Sequence, residues 1–145
     1  MDEVSAMRTS MYRAMAGFGL ALLMAPVAVY AHHAFAAEFD ANQPVKLSGT
    51  IVKMDWINPH TWMHIAVKDE DGKVTEWAVE GGAPNAMFRR GWNMESVKPG
   101  TAVVIEGYRA KSGENKANGR DVTFPDGTLL FLGGSGSGVE PGKPK

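Results

Sequence analysis

The histidines are the residues of this chain whose type and spacing are best suited to chemistry. All four lie in one stretch of the chain: His32, His33, His60 and His64. Imidazole is the commonest metal ligand in proteins and changes its charge near neutral pH. The chain has no cysteine, which excludes thiolate zinc sites, iron–sulfur clusters and covalent haem attachment. Any bound metal would therefore have nitrogen and oxygen ligands.

An apolar segment directly before the first histidine indicates export. Residues 14–31 are apolar and follow Arg8 and Arg13. They end with small residues at the two positions that a bacterial signal peptidase reads. We therefore predict a signal peptide over residues 1–31 and a periplasmic or secreted mature protein that begins at His32.

This apolar segment has two alternative interpretations. One is an uncleaved membrane anchor, although 18 residues that include two glycines and Pro26 make a short and weak span. The other concerns the start of translation, because Met7 or Met11 would give a purely basic segment before the apolar run. The sequence favours cleavage, after which we expect no stable membrane span.

A histidine at the mature N-terminus can bind a metal ion in a particular way. The amine and ring Nδ1 of His32 can bind one ion together, and a third nitrogen from another imidazole would complete a histidine brace. Such sites, rich in nitrogen and free of thiolate, favour Cu(II) over nickel and zinc. His60 and His64 would lie about 13 Å apart on an ideal strand, so we expect only one of them to complete the site. His33 offers a second copper mode through the amine, the intervening amide and its own imidazole.

Carboxylates near the histidines could support such a site, and ordinary structural roles could also explain the histidines. Oxygen ligands, or groups that orient an imidazole ring, could come from Glu38, Asp40, Asp55 and Glu80. Alternatively, His60 is a turn residue after Asn58-Pro59 whose ring bonds a backbone carbonyl group. In the same way, His64 would be a half-exposed residue on the surface of a strand.

Periodicity and turn signals organise the mature chain into one small β domain. We predict a lead-in over residues 32–44, an OB-like β-barrel domain over residues 45–132 and a flexible tail over residues 133–145. The predicted strands cover residues 45–56, 61–68, 74–80, 101–109, 120–124 and 128–132. Pro84 begins a short helix that continues to Arg90, and the polar residues 111–119 are predicted to form a mobile loop.

This order of elements predicts an all-β fold with one short helix, as a small OB-like barrel of five to six strands. A six-stranded sandwich of similar connectivity is the alternative. The two-residue period of the second strand directs Met63 and Ile65 to the core and Trp62 and His64 to the other face. In the third strand, Trp77 belongs to the core face.

Four segments of the chain resemble a known protein family. They read HHAFAAEFDANQPVKLSGTI, INPHTWMHI, WAVEGGAPNAMFRRGW and KPGTAVVIEGYRAK. They resemble an exported bacterial family called domain of unknown function 6152, and the resemblance extends from about His32 to Leu132. It implies a secreted or periplasmic small β domain without an established activity. The paired histidines after the leader and the Asn58-Pro59-His60 step also match the pattern of that family.

The charge and the motifs favour a binding function. Removal of two basic and two acidic residues with the predicted leader leaves 13 Lys and Arg against 14 Asp and Glu. This balance gives no electrostatic reason to expect nucleic acid as a partner. No G-x-S-x-G motif or paired-carboxylate motif indicates a nucleophile with its base, so we favour binding over catalysis.

We therefore predict an exported small β-barrel binding module whose partner is a protein or a small ligand. Trp62 and Trp56 are the candidate ligand surface, because exposed aromatic rings can stack on sugars and bases. The alternative is a periplasmic copper-binding or copper-delivery protein that uses an N-terminal histidine brace. A further alternative is a copper-dependent oxidase. Copper is accordingly the candidate cofactor.

Overall fold

The structure, a computed structural model, describes residues 35–133. The chain divides into two units, residues 1–30 and residues 31–145, and the described residues belong to the second. The predicted signal peptide, His32, His33 and the tail after Gly133 lie outside the described residues. In the part of the chain that is described, no helix has the length and apolar character needed to cross a membrane.

Strands make up most of the described residues. The strands are β1 (Phe39–Asp55), β2 (Trp62–Lys68), β3 (Val74–Glu80), β4 (Ala102–Ala110), β5 (Lys116–Thr123) and β6 (Leu129–Phe131). Between β3 and β4 lie the α-helix α1 (Pro84–Arg89) and a 3₁₀ helix (Met94–Val97). Residues 35–38 are also helical and lead directly into β1.

The strands form one sheet that closes on itself. Their order is β3-β2-β1-β4-β5-β6, and neighbours in this order are antiparallel. An additional parallel pairing joins residues 78–80 of β3 to residues 116–118 of β5, so the sheet forms a ring. This confirms the predicted all-β class with a short helix and up to six strands. The strands lie in one closed sheet, not in the two sheets of the alternative sandwich.

The core lies inside this ring and consists of alternate residues of the strands. Met63 and Ile65 of β2 and Val79 of β3 are completely buried, and Trp77 is nearly so. His64 lies on the opposite face of β2 and is partly exposed. The two-residue period predicted for β2 and β3 is therefore confirmed.

Helix α1 forms where the sequence changes from strand to helix periodicity. Pro84 lies in its first turn, where a backbone N–H has no partner within the helix. Gly91 follows the helix with a φ of 93°, a left-handed conformation that glycine adopts without strain. The buried hydroxyl of Thr61 donates to the carbonyl oxygen of Gly82 at 3.0 Å and contacts the sulfur of Met87. These contacts connect the start of β2 to the segment before α1 and to α1 itself.

The first strand begins earlier than the sequence predicts. The predicted lead-in covers residues 32–44, whereas β1 begins at Phe39, whose side chain is buried. Phe39 pairs with Ala110 of β4, and after an irregularity Pro44 pairs with Tyr108. Because the register shifts between these pairs, the polar residues there need not alternate with apolar ones. The sequence pattern therefore hides this part of the strand.

The mobile loop predicted over residues 111–119 is wrong in its second half. Strand β5 begins at Lys116, and its residues 116–118 close the ring against β3. Ala117 belongs to the core and is completely buried, whereas its polar neighbours are the partly exposed Lys116 and the buried Asn118. Lys116 contacts Glu38 and Asn118 contacts Glu80, so both side chains are polar although they belong to a strand. This polarity led to the prediction of a loop.

Candidate functional site

His60 and Glu80 form a side-chain pair where β2 begins and β3 ends. His60 lies just before β2, and Glu80 is the last residue of β3, where it pairs in register with Trp62. Nδ1 of His60 contacts Oε1 of Glu80. The Glu80 side chain is 7% exposed, whereas the His60 side chain is 44% exposed. A buried carboxylate therefore contacts an imidazole ring that solvent can reach.

Burial determines the electrostatics of this pair. Removal of Glu80 from water raises the pKa of its carboxyl group, because burial disfavours the charged form. The charge of His60 and a hydrogen bond from Asn118 act against this shift, and the nearby Glu38 carboxylate adds to it. The ammonium group of Lys116 acts to lower the Glu80 pKa. The dominant effect is burial.

Asn118 lies beside Glu80 on the neighbouring strand. The two residues are partners in the parallel β3–β5 pairing that closes the ring. Nδ2 of Asn118 donates to Oε2 of Glu80 at 3.4 Å, a long hydrogen bond. Oδ1 of Asn118 is buried and receives no hydrogen bond from any residue that the structure describes. The Glu80 carboxylate thus has one oxygen at His60 and the other at Asn118.

The segment that leads into β1 also reaches this cluster. Glu38 forms an ion pair with Lys116 of β5. The Lys116 ammonium lies 5.0 Å from the centre of the Trp62 ring, within the range of a cation–π contact. One face of Trp62 is therefore already covered by Lys116. We call His60, Glu80, Asn118, Lys116 and Glu38 the His60 cluster.

The chemistry of the His60 pair matches a common arrangement in metal sites. A histidine that binds a metal through one ring nitrogen usually donates the other N–H to a carboxylate, which fixes the tautomer and the ring orientation. Glu80 contacts Nδ1 of His60, and no group in residues 35–133 is hydrogen-bonded to Nε2. Nε2 is therefore the nitrogen through which His60 can bind an ion.

His64 lies in a different environment. Its Nδ1 is 2.9 Å from Oε1 of Glu76 on β3, and its Nε2 is 3.2 Å from Oδ2 of Asp55 on β1. Asp55 is in turn paired with Lys53 at 2.6 Å. Both ring nitrogens of His64 are thus in contact with carboxylates of the strands on either side of β2. The structure does not bring His60 and His64 together in one site.

The other predicted residues have separate positions. Asp40 accepts hydrogen bonds from the backbone N–H of Asn42 and the side chain of Gln43. Trp56 stacks on Phe88 of α1, with ring centres 4.8 Å apart. Within residues 35–133, no three His, Asp or Glu side chains converge as metal ligands. A metal site with three such side-chain ligands that includes His60 would therefore need at least one ligand from outside the described residues.

Two members of the His60 cluster do not emerge from the sequence analysis. Lys116 and Asn118 fall in the predicted loop and are not candidates there. The sequence does contain a signal for them: polar Lys116 and Asn118 alternate with small Ala117 and Gly119, which are buried. Such a two-residue alternation is typical of a strand with one buried face. The contact of Asn118 with Glu80 depends on the closure of the ring, and no pattern within one segment predicts it.

Comparison with known proteins identifies the family of the chain but no activity. The model of a family of unknown function, DUF6152, matches residues 21–119, more than half of the chain and all of the strands up to the start of β5. No curated protein and no solved structure matches the sequence. The match agrees with the resemblance found in the four segments of the sequence. The chain therefore belongs to the DUF6152 family.

Proposed function

We propose that this protein is an exported metal-binding protein, with Cu(II) as its ion and His60 as a ligand. The observation that supports this proposal is the contact between the buried Glu80 carboxylate and Nδ1 of His60. It orients a solvent-accessible ring and leaves Nε2 for a metal, as in carboxylate–histidine–metal sites. The function is binding or delivery of the ion, in the periplasm or outside the cell.

The remaining ligands in this proposal come from the N-terminus of the processed chain. After cleavage behind Ala31, the amine and the imidazole of His32 supply two nitrogens, and Nε2 of His60 supplies a third. Three nitrogens without thiolate favour Cu(II) over the other common divalent ions. Of the two histidines that could complete this set, His60 suits the role better, because both nitrogens of His64 already contact carboxylates.

The first experiment is a measurement of processing and metal content on the same sample. The protein is isolated without a tag from the periplasm of its own host, and its intact mass and bound metals are determined together. We expect a mass that begins at His32 and about one copper ion per chain. The same terminus without copper, and without uptake in a Cu(II) titration, would contradict the proposal. A different terminus would remove the brace.

Substitution of single histidines then identifies the ligands. We expect His60→Ala to weaken Cu(II) binding by at least tenfold and to change the nitrogen hyperfine pattern in the EPR spectrum. His64→Ala is the matched comparison, and we expect it to keep the affinity and the spectrum of the unchanged protein. The opposite result for the two variants would assign the site to His64. Loss of binding in a His33→Ala variant alone would favour the mode that uses the amide before His33.

A second candidate is a binding surface for a small ligand or a partner protein at Trp56. Its neighbour Phe88 is 44% exposed, and Ile57 beside it in the chain is 55% exposed. Trp56 stacks on Phe88, so at least these two apolar side chains lie together at the segment that precedes His60. We expect ligands of this surface to bind without metal and to lose affinity in Phe88→Ala.

Peroxide production from ascorbate and Cu(II) would instead support the oxidase alternative.

A further inference from the structure

Asn118 has a fixed place beside Glu80, because β5 is paired with a strand on each side of it. Asn118 pairs with Tyr108 of β4 and with Glu80 of β3. On either side of it in the chain, Ala117 is completely buried, and a Cβ on Gly119 would collide with side chains of the core. Asn118 itself is 8% exposed. Its side chain therefore extends from a backbone position that the ring of strands fixes.

The Asn118 amide makes one hydrogen bond and keeps one acceptor unpaired. Nδ2 donates to Oε2 of Glu80 at 3.4 Å, whereas no residue that the structure describes donates to Oδ1. An ionised carboxylate only accepts, so the amide nitrogen has to face Glu80. A buried acceptor without a partner costs stability, and an apolar side chain of similar size would avoid this cost. Packing alone therefore does not account for an asparagine here, but a donor to Glu80 does.

Lys116 is a cation that could compete with His60 for Glu80. Its ammonium group is close enough to act on the pKa of Glu80. It is instead paired with Glu38, and it lies 5.0 Å from the centre of the Trp62 ring. A lysine in contact with Glu80 would neutralise the carboxylate, whereas an amide donates a hydrogen bond and carries no charge. The amide thus orients Glu80 and leaves its negative charge for His60.

We propose that Asn118 is a positioning residue for His60, which holds Glu80 so that the ring proton stays on Nδ1 and Nε2 is open to a ligand. The connection has two contacts, from Asn118 Nδ2 to Glu80 Oε2 and from Glu80 Oε1 to His60 Nδ1. Groups that orient a metal-binding histidine typically change the metal affinity by about tenfold to a hundredfold. The inference rests on the proposed function only for the use of Nε2, because the tautomer exists without metal.

The first test determines the His60 tautomer in the metal-free protein. Proton–nitrogen NMR correlation of the ring, in mildly alkaline solution where imidazole is neutral, distinguishes protonated from unprotonated nitrogens. We expect the His60 proton on Nδ1 in the unchanged protein and a mixture of both tautomers in Asn118→Leu. Asn115→Leu is the matched control, because it makes the same change at an exposed position just before β5. A mixture in the unchanged protein, or a proton that stays on Nδ1 in Asn118→Leu, would overturn the inference.

His64 provides an internal reference for this measurement. It lies on β2 and contacts Asp55 and Glu76, which are not partners of Asn118. We therefore expect Asn118→Leu to leave the ring signals of His64 and the amide signals of the core in place. If Asn118→Leu does not fold, Asn118→Ala removes the same donor with a smaller side chain and is expected to give the same mixture. A His60 proton fixed on Nδ1 in that variant would equally overturn the inference.

The second test separates the inference from the proposed function by measuring Cu(II) affinity in competition with a coloured chelator. We expect Asn118→Leu to weaken binding about tenfold and Asn115→Leu to bind like the unchanged protein. If His60→Ala weakens binding but Asn118→Leu keeps both the affinity and the tautomer, the inference fails and the proposed function stands. If the unchanged protein binds no Cu(II) but the tautomer depends on Asn118, the proposed function fails and the inference stands.

Discussion

At the scale of single residues, two histidines in one part of the fold differ because their carboxylate partners differ. His60 contacts one buried carboxylate and is otherwise open to solvent. His64 is 20% exposed and lies between Asp55 and Glu76, and it can donate to both only when both ring nitrogens carry protons. The first arrangement leaves a nitrogen for an external ion, whereas the second joins three neighbouring strands. Residue type alone therefore does not assign a histidine to a metal site.

The buried Glu80 carboxyl group leads to a prediction about stability and pH. Its pKa in the folded protein is raised by burial above the ordinary glutamate value of 4.5. At a pH below 4.5, Glu80 is protonated in both the folded and the unfolded protein. As the pH rises above it, the unfolded chain ionises first, so the contribution of Glu80 to stability falls until its folded pKa is passed. Relative to the unchanged protein, we expect Glu80→Gln to gain stability as the pH rises from 4 to 7.

This prediction is measured by urea unfolding of both proteins without metal across that pH range. Glu70→Gln is the control, because Glu70 lies in an exposed turn. Its stability difference is expected to stay within about 0.5 kcal/mol at every pH. A Glu80→Gln variant that loses stability relative to the unchanged protein as the pH rises would show that the contact with His60 outweighs the burial of Glu80.

At the scale of elements, the sequence predicts those strands in which the two-residue period is unbroken. Met63 and Ile65 of β2, like Trp77 and Val79 of β3, are buried and separated by a partly exposed residue, and both strands are found where they are expected. The start of β1 was missed because the pairing is irregular between Phe39 and Pro44. The start of β5 was missed because Lys116 and Asn118, which belong to the His60 cluster, are polar. Sequence patterns report burial, and neither segment has a regular pattern of it. Residues 41–44 of β1 are all exposed, and the polar residues Lys116 and Asn118 of β5 contact other polar groups.

Gly107 gives a prediction for the β4–β5 pair. The register shifts between Glu106 and Gly107, and a Cβ on Gly107 would collide with the carbonyl oxygen of Asn118. A backbone carbonyl cannot move aside as a side chain can, so we expect Gly107→Ala to destabilise the protein by about 2 kcal/mol or more. Thr123→Ala, at an exposed position of β5, is expected to cost less than about 0.5 kcal/mol.

Chemical denaturation of the two variants tests this prediction. Because β5 carries Asn118, a distortion of the pair at Gly107 should also alter the environment of Glu80. The amide signals of Glu80 and Asn118 are expected to shift in Gly107→Ala and to stay in place in Thr123→Ala. A Gly107→Ala variant with unchanged stability and unchanged amide signals would contradict the prediction. It would mean that strands β4 and β5 can move apart at this register shift without loss of stability.

At the scale of the whole molecule, closure of the sheet completes the His60 cluster by bringing the start of β5 to the pair of His60 and Glu80. The cluster contains residues from before β1, from before β2, from the end of β3 and from the start of β5. The sequence indicates His60 and Glu80 as candidates, since both are residue types that bind or orient ligands. It does not show that they meet, which depends on the register of β2 and β3. Nor does it show that Asn118 and Lys116 join them, which depends on the β3–β5 pairing. A site formed by ring closure is visible only in three dimensions.

The whole-molecule consequence of the proposed site is that Cu(II) should connect the mature N-terminus to the sheet and stabilise the fold. An ion that binds only the folded protein at a hundred times its dissociation constant adds about 2.7 kcal/mol. For a domain of this size that corresponds to a rise in Tm of about 10 °C. We expect this rise for the protein that begins at His32, in calorimetry with Cu(II).

A single glycine added before His32 provides the matched control, because it leaves every side chain unchanged and moves the amine away from the His32 ring. We expect it to abolish most of the Cu(II)-dependent rise in Tm and to leave the Tm without metal unchanged. His60→Ala should also lose the rise. If the extended protein is stabilised as strongly as the mature one, the ion is bound by side chains alone and the N-terminal amine is not a ligand. Equal stabilisation of His60→Ala would place the ion away from the His60 cluster, and Glu80 would then orient a histidine for another purpose.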